Sequence, residues 1–314
     1  MEMLYWKIDP GLEREAAENY RTEYALKLEN RDALSIIREL TFDGSAPNIT
    51  IQAIDNLFDF IDKNFLKRKI SGVGLEVGAG PLTFSSILSK RESTSKVYGV
   101  EICKPIVERL APKVSEFILE DKKNKVIGVV GSFDQIELPD ESVDFIFDFF
   151  SLHHSNDLGI TLKECWRVLK KGGFVLCLDK ARPDIYDKKD LDELMDTEYR
   201  GDYKKQFGLP LELGLTRRMN GEREYRLKDW KSYLNNAGFK RVKYYHLDKV
   251  IGSGKTIKIK KTISLLPTSF QCFLSKIISK PKYSHKFFLE PKNRIYSNLI
   301  NPFRKEMSLI VAYK

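Results

Sequence analysis

Cysteine is scarce in this 314-residue sequence, and Cys103, Cys165, Cys177 and Cys272 form no CxxC pair. That spacing argues against a zinc site and against a disulfide framework. No stretch is apolar enough to span a bilayer, and Met1–Asp9 lack a basic region followed by an apolar run, so the expected location is cytoplasmic. Internal repeats and low-complexity tracts are lacking too. Acidic residues are missing between Asp248 and Glu290, where Lys255, Lys258, Lys260, Lys261, Lys276, Lys280, Lys282 and Lys286 all lie. The net charge of +9 is therefore a local excess. Nucleic acid, an anionic membrane surface and a phosphorylated substrate would each accept it.

What is present is ordinary globular chemistry, with 42% hydrophobic residues. From Leu12 to Leu40, Ala16, Tyr20, Tyr24 and Leu28 recur at helical spacing, and after the break at Asp43–Pro47 a second apolar face runs through Ile51, Ile54, Leu57, Phe58 and Ile61. Residues 1–70 are thus expected to form a helical N-terminal segment. After Gly72 short apolar strands alternate with helices, the pattern of βαβ units and a parallel sheet. The expected strands are Val73–Val77, Lys96–Val100, Lys125–Val130, Val143–Phe149 and Gly173–Leu178, and between the last two Leu158, Leu162, Cys165 and Leu169 mark one face of a helix that ends in Lys170-Lys171-Gly172-Gly173. Two more, Lys240–His246 and Met307–Tyr313, follow. Two insertions interrupt this 71–314 region: one at about 184–228 with Tyr186, Tyr199, Tyr203 and Phe207, and a basic, amphipathic one at about 249–305.

Open parallel sheets bind ligands at the carboxyl ends of their strands, so the first loop matters most. In Glu76-Val77-Gly78-Ala79-Gly80-Pro81-Leu82-Thr83, Gly78 and Gly80 permit a tight turn and close backbone approach, and Pro81 suits a helix start. The dinucleotide fingerprint G-x-G-x-x-G fails at Thr83. Glu101, about twenty residues further on at the end of the next strand, can accept hydrogen bonds from both hydroxyls of a ribose.

With these motifs the sequence resembles the class I S-adenosylmethionine-dependent methyltransferase family, in its small-molecule, type 11-like branch. The likeness runs from about Gly72 to Arg182, with a tail in Ala237-Gly238-Phe239. It implies a Rossmann-like sheet, mostly parallel with an antiparallel C-terminal strand, and S-adenosyl-L-methionine as cofactor. Glu76, Gly78, Ala79 and Gly80 match the opening motif, with Leu82 in place of the usual third glycine. Glu101, followed by Ile102, matches the ribose-binding acid. Gly131-Ser132-Phe133-Asp134 occupies the adenine-contacting place, where the Ser132 hydroxyl or Asp134 would meet the amine and Phe133 would offer its N–H. Pro139–Asp144 and Glu164-Cys165-Trp166-Arg167-Val168-Leu169-Lys170-Lys171-Gly172-Gly173 complete the match.

Methyl transfer is an in-line displacement, so a protein mainly positions the acceptor, and a hydroxyl acceptor needs a base. The candidates at the fourth and fifth strand ends are Asp148, also a cofactor contact, His153 and Asp179, with His153 the preferred base. His154, Arg182 and Tyr186 are candidate acceptor contacts; ordinary packing or solvation is the competing account for each. No third ligand accompanies the adjacent histidines, so no metal is expected. The expected function is methyl transfer to a small molecule or a glycan or lipid-linked intermediate, on oxygen, with peripheral membrane contact by the basic insertion. An RNA methyltransferase and a non-catalytic S-adenosylmethionine-binding protein are the rivals.

Overall fold

The computed structural model describes residues 1–8, 16–120, 125–184, 186–206, 211–212, 214–248, 294–303 and 307–314, with backbone alone at 16–21, 206 and 294. The chain opens on a short strand β1 (Glu2–Tyr5) and continues into α1 (Ala16–Lys27), α2 (Ala33–Ile36) with a π-helical turn at Ile37–Thr41, and α3 (Ile51–Asn64). Alternation then sets in with β2 (Gly72–Val77), α4 (Thr83–Lys90), β3 (Thr94–Glu101), α5 (Ala111–Leu119), β4 (Val126–Val130), β5 (Val143–Phe149), α6 (Leu158–Val168) and β6 (Leu169–Asp179). Three helices, α7 (Lys188–Met195), α8 (Gly201–Gln206) and α9 (Leu227–Asn236), precede β7 (Lys240–Asp248), β8 (Arg294–Tyr296) and β9 (Met307–Tyr313).

The described strands form one sheet in the order β1-β4-β3-β2-β5-β6-β9-β7-β8. Strands β1 to β6 pair in parallel, whereas β9 runs antiparallel to both β6 and β7. This is the mostly parallel, Rossmann-like sheet with a reversed C-terminal strand that the sequence implies. Two details differ. Residues 2–5 are an edge strand rather than part of a helical segment; Tyr5 pairs with Val130, and a four-residue strand carries too little alternation to be read from sequence. The helix expected to reach Lys170 stops at Val168, because Leu169 pairs with Val143 and opens β6 directly. Residues 249–293 and 304–306 of the expected basic insertion lie outside the described residues, and with them its expected amphipathic surface.

Strand alternation sends successive side chains to opposite faces, and each face has its own core. Phe145 and Phe147 of β5 join α3 and α4 on one side, with Phe58 to Phe147 ring centroids 5.1 Å apart and Phe84 to Phe149 4.5 Å. Ile146 and Val143 join Leu162 and Cys165 of α6 and Trp230 and Leu234 of α9 on the other. A helix-forming face at 51–61 therefore becomes α3 because its apolar stripe is buried; Ile54, Leu57, Phe58 and Ile61 are all inaccessible to solvent. Among the described residues no helix is long and apolar enough to cross a membrane.

One packing detail fixes the first loop from below. Gly99 in β3 lies under α4, and a Cβ there would stand 2.1 Å from Leu82 Cδ2 and 2.6 Å from Ser85 Oγ. We expect Gly99→Ala to cost about 1–3 kcal/mol through overpacking, read as a lower urea midpoint; an unchanged midpoint would show that Leu82 moves aside freely.

Candidate active site

The sheet order reverses between β2 and β5, whose Val77 and Asp148 are neighbours in register, so the crevice lies at these two carboxyl ends. After β2 the backbone turns through Gly78 (φ 64°), Gly80 (φ 51°) and Leu82 (φ 61°). Gly78 is required twice over, since a Cβ would also stand 2.3 Å from the Ser151 side chain, whose Oγ donates to Gly78 O at 3.0 Å. A Cβ on Gly80 would meet nothing within 4 Å, so this side of the loop is open to a ligand. Ala79 is buried and its N–H donates to Val100 O at 2.8 Å, pinning the loop to β3.

Leu82 replaces the glycine usual at its place but keeps a left-handed backbone. That conformation costs a non-glycine residue about 1–2 kcal/mol. Full burial of a leucine contributes about 1.5–3 kcal/mol, and Leu82 is wholly buried in the space left by Gly99 and Gly128. Packing outweighs strain. The loop is thus preserved by moving glycine from the turn to the two strands beneath it.

Glu101 is buried at the end of β3 and accepts from Gly80 N at 3.0 Å and Cys103 N at 2.9 Å. Its carboxylate ties the glycine loop to the second strand, with half-buried Ile102 beside it. Glu76 is deeper: its carboxylate accepts from the Ser85 hydroxyl of α4. Burial pushes Glu76 up to about 8, against the lowering effect of the Ser85 hydrogen bonds. After β4, buried Ser132 accepts from Asp134 N at 3.1 Å, and Phe133 is partly buried. Asp134 itself accepts from Ser155 Oγ at 2.8 Å, Asn156 N at 3.2 Å and Thr161 Oγ1. Both its oxygens are engaged in holding this loop to the start of α6.

The other wall rises from β5 and β6. Asp148 is fully buried and accepts from Ser151 N at 3.0 Å, Leu152 N at 2.8 Å and the Cys177 thiol at 2.9 Å. It shapes the turn that delivers His153. His153 is buried, its N–H donates to Asp179 Oδ2 at 3.0 Å, and its Nδ1 lies 2.7 Å from Asp179 Oδ1. Main chain and ring are therefore both fixed by one carboxylate. Burial raises Asp179 above the usual carboxylate range, and burial followed by the charge of Asp179 raises Asp148 further. Asp148, Cys177 and Asp179 bring their polar atoms within 4.8 Å of one another. Backbone N–H groups, a thiol and the histidine supply the hydrogen bonds that this cluster needs.

His154 packs against His153 in a tilted ring pair with centroids 4.3 Å apart. The fork of Arg182 is taken by Glu224, with Nε and Nη2 each 2.7 Å from its carboxylate oxygens. Tyr186 is half-buried in the following turn and its N–H donates to Pro183 O at 3.1 Å. Sequence reasoning missed the run Glu222–Arg226 from the first insertion, which reaches Arg182 through an isolated bridge at Arg226. Glu222 meets Lys180, Tyr199 and Arg217, and Arg223 N donates to His153 O at 2.8 Å.

Residues 75–177 match the family model described as a methyltransferase domain. That stretch is similar to methyltransferase domains of the S-adenosylmethionine-dependent class. Over 112 residues the chain is 30% identical to a demethylmenaquinone methyltransferase of Roseiflexus castenholzii, covering 36% of this chain and 44% of that one. Over 138 residues it is 29% identical to malonyl-acyl-carrier-protein O-methyltransferase 1 of Coxiella burnetii, covering 43% and 42%. The chain thus spans less than half the length of these curated relatives. A solved S-adenosylmethionine-dependent methyltransferase from Aquifex aeolicus is 21% identical, with a TM-score of 0.41 over 70% of this chain and 90% of that one.

The residues of this stretch suit S-adenosylmethionine as cofactor. Gly80 leaves open space where a Cβ would stand, and Glu101 is an acceptor at the distance along the chain that a ribose requires. Glu76 gives a pH test of the same site. A carboxyl whose pKa is raised by folding binds its proton more tightly in the folded state, so its stabilisation is full below its ordinary 4.5 and is lost as pH rises through about 8. The ligand-free protein is expected to lose stability between those values, and Glu76→Gln, which keeps an acceptor for Ser85, to reduce the slope. Urea titrations at several pH values check this; equal slopes would place the proton elsewhere.

Proposed function

We propose that the protein methylates an oxygen atom of a small-molecule acceptor, using S-adenosyl-L-methionine and a His153–Asp179 base. The observation that carries this reading is the buried pair at the strand ends. Asp179 is within hydrogen-bond distance of His153 Nδ1, so a proton on Nδ1 leaves Nε2 as the basic atom. Bound over the glycine loop, the cofactor supplies an electrophilic methyl group on a sulfonium.

The chain's own residues would do the rest. Glu101 and the loop from Gly78 to Gly80 hold the nucleoside end, with Ile102, Ser132 and Phe133 along the base. Ser151 joins the glycine loop to the turn that carries His153, so donor and base are set by one hydrogen-bonded unit. His153 would take the acceptor's proton as the methyl carbon's bond to sulfur gives way to its bond to the acceptor oxygen, leaving a neutral thioether, and Asp179 would stabilise the charged ring. His154, Tyr186 and the Arg182–Glu224 pair line the acceptor side, where the first insertion closes over His153 through Arg223. The named acceptors of the two relatives are small or carrier-linked, and one of those names specifies oxygen. A glycan or lipid-linked acceptor, reached through the basic insertion at a membrane surface, is the extended form of this reading.

Radiolabelled methyl transfer into fractions of a cell extract tests it. Label is expected in small-molecule or lipid fractions; label confined to RNA would favour the RNA methyltransferase, and cofactor binding with no labelled product would favour the non-catalytic protein. With an acceptor in hand, His153→Gln is expected to lower kcat by about 10²–10⁴-fold while S-adenosylhomocysteine affinity stays close to wild type. Asp179→Asn should also lower kcat. An unchanged kcat in His153→Gln would remove His153 as the base.

A further inference from the structure

Lys180, Arg182 and Arg217 gather around two carboxylates beside the base. Lys180 Nζ pairs with Glu222, Arg182 grips Glu224 through Nε and Nη2 at 2.7 Å each, and Arg217 Nη1 reaches both acids, at 3.2 Å and 3.4 Å. Three cations thus share two carboxylates, which leaves one positive charge in excess. The layering is as uneven as the count. The Glu222 and Glu224 side chains are 8% and 0% exposed, whereas those of Lys180, Arg182 and Arg217 are 19%, 29% and 30% exposed. The acids therefore lie underneath and hold the cations, and the face turned outward is positive.

Arg217 is the least satisfied member. Its Nε and Nη2, one edge of the guanidinium fork, have no hydrogen-bond partner among the described residues, while Arg218 beside it closes on Asp192 and Asp196. Burial pulls Arg217 down from the ordinary guanidinium value, and the charge of Arg182 adds to this against the opposing pull of Glu224. An anion with two acceptor oxygens would fill that edge and balance the excess charge.

The chain places this cluster at the acceptor end of the crevice. Asp179, which holds the His153 ring, is followed directly by Lys180. Arg223, whose N–H donates to His153 O at 2.8 Å, directly follows Glu222. The Lys180–Glu222 pair therefore joins the two segments that flank the base. Tyr199 of the first insertion donates its hydroxyl to Glu222 and stacks on Tyr203 with ring centroids 4.3 Å apart, so this insertion also covers the cluster. The glycine loop and Glu101 stand on β2 and β3, on the far side of β5.

We infer that the acceptor carries an anionic oxygen group, a carboxylate or a phosphate, apart from the oxygen that is methylated, and that Arg217 binds it through Nε and Nη2. This rests on the proposed function above and names its substrate class. Glu222 and Glu224 orient the three cations before the acceptor arrives, and Lys180 and Arg182 supply the surrounding positive field. A neutral acceptor would leave the excess charge unbalanced under the insertion, so the cluster also selects against it.

The products of methyl transfer test this without a variant. Small-molecule and lipid fractions labelled by the wild-type chain are passed over an anion exchanger at mildly alkaline pH, where label is expected to be retained and released by salt. Alkaline phosphatase abolishes the retention of a phosphate monoester and not that of a carboxylate. Label in the unretained, neutral fraction would overturn the inference and leave methyl transfer standing; no label in small-molecule or lipid fractions would instead overturn the reading beneath it. With the retained acceptor purified, Arg217→Gln is expected to raise its KM about tenfold or more, with a smaller change in kcat and S-adenosylhomocysteine affinity close to wild type. Arg217→Lys, which keeps the charge without the fork, should recover part of the loss. Arg218→Gln, which breaks ion pairs away from the cluster, is the matched control and should leave KM unchanged. An unchanged KM in Arg217→Gln would remove Arg217 from the acceptor site, as would an equal rise in Arg218→Gln.

Discussion

Val77 and Asp148 stand side by side in two parallel strands whose sheets grow outward in opposite directions, and the crevice between them exists because of that divergence. Everything that could touch a cofactor or acceptor is delivered to this one edge. The glycine loop leaves β2, the Glu101 carboxylate closes the end of β3, and the turn bearing His153 leaves β5. The Ser151 hydroxyl then joins loop and turn through Gly78 O. A change in one wall is therefore transmitted to the other by hydrogen bonds rather than through solvent.

The site concentrates buried acids, and each is held by its own set of donors. Glu101 has two backbone N–H groups, Asp148 has two backbone N–H groups and a thiol, and Asp179 has a histidine and its backbone. Low local dielectric makes such bonds strong and makes an unmet acceptor costly. Raised carboxyl pKa values at Glu76, Asp148 and Asp179 follow from the same burial. Strongly shifted groups gathered at one crevice are the usual mark of a chemical site.

Much of this was legible in the sequence because local patterns and global fold agree. Short apolar runs gave β2 to β6 to within a few residues, and Glu76, Gly78, Gly80 and Glu101 fell where the reversal of strand order brings them together. The helix stop at Lys170–Gly173 was displaced by two residues because strand pairing of Leu169 with Val143 competes with the last helical turn. Side-chain partnerships were not legible. Nothing in the sequence says that Asp134 spends its oxygens on Ser155, Asn156 and Thr161, or that Arg182 closes on Glu224, forty-two residues away. Leu82 was visible as a departure from the glycine pattern, but its compensation by Gly99 and Gly128 depends on strands that only the fold places beneath it.

The most direct test of the account is an amide-resolved NMR titration of the protein with S-adenosylhomocysteine. The amides of Gly78, Gly80, Cys103 and Ser132 are expected to shift together and saturably, since these groups border the open side of the loop and its Glu101 clamp. Shifts confined to other parts of the sheet, or none at all, would contradict the claim that this crevice binds the methyl donor.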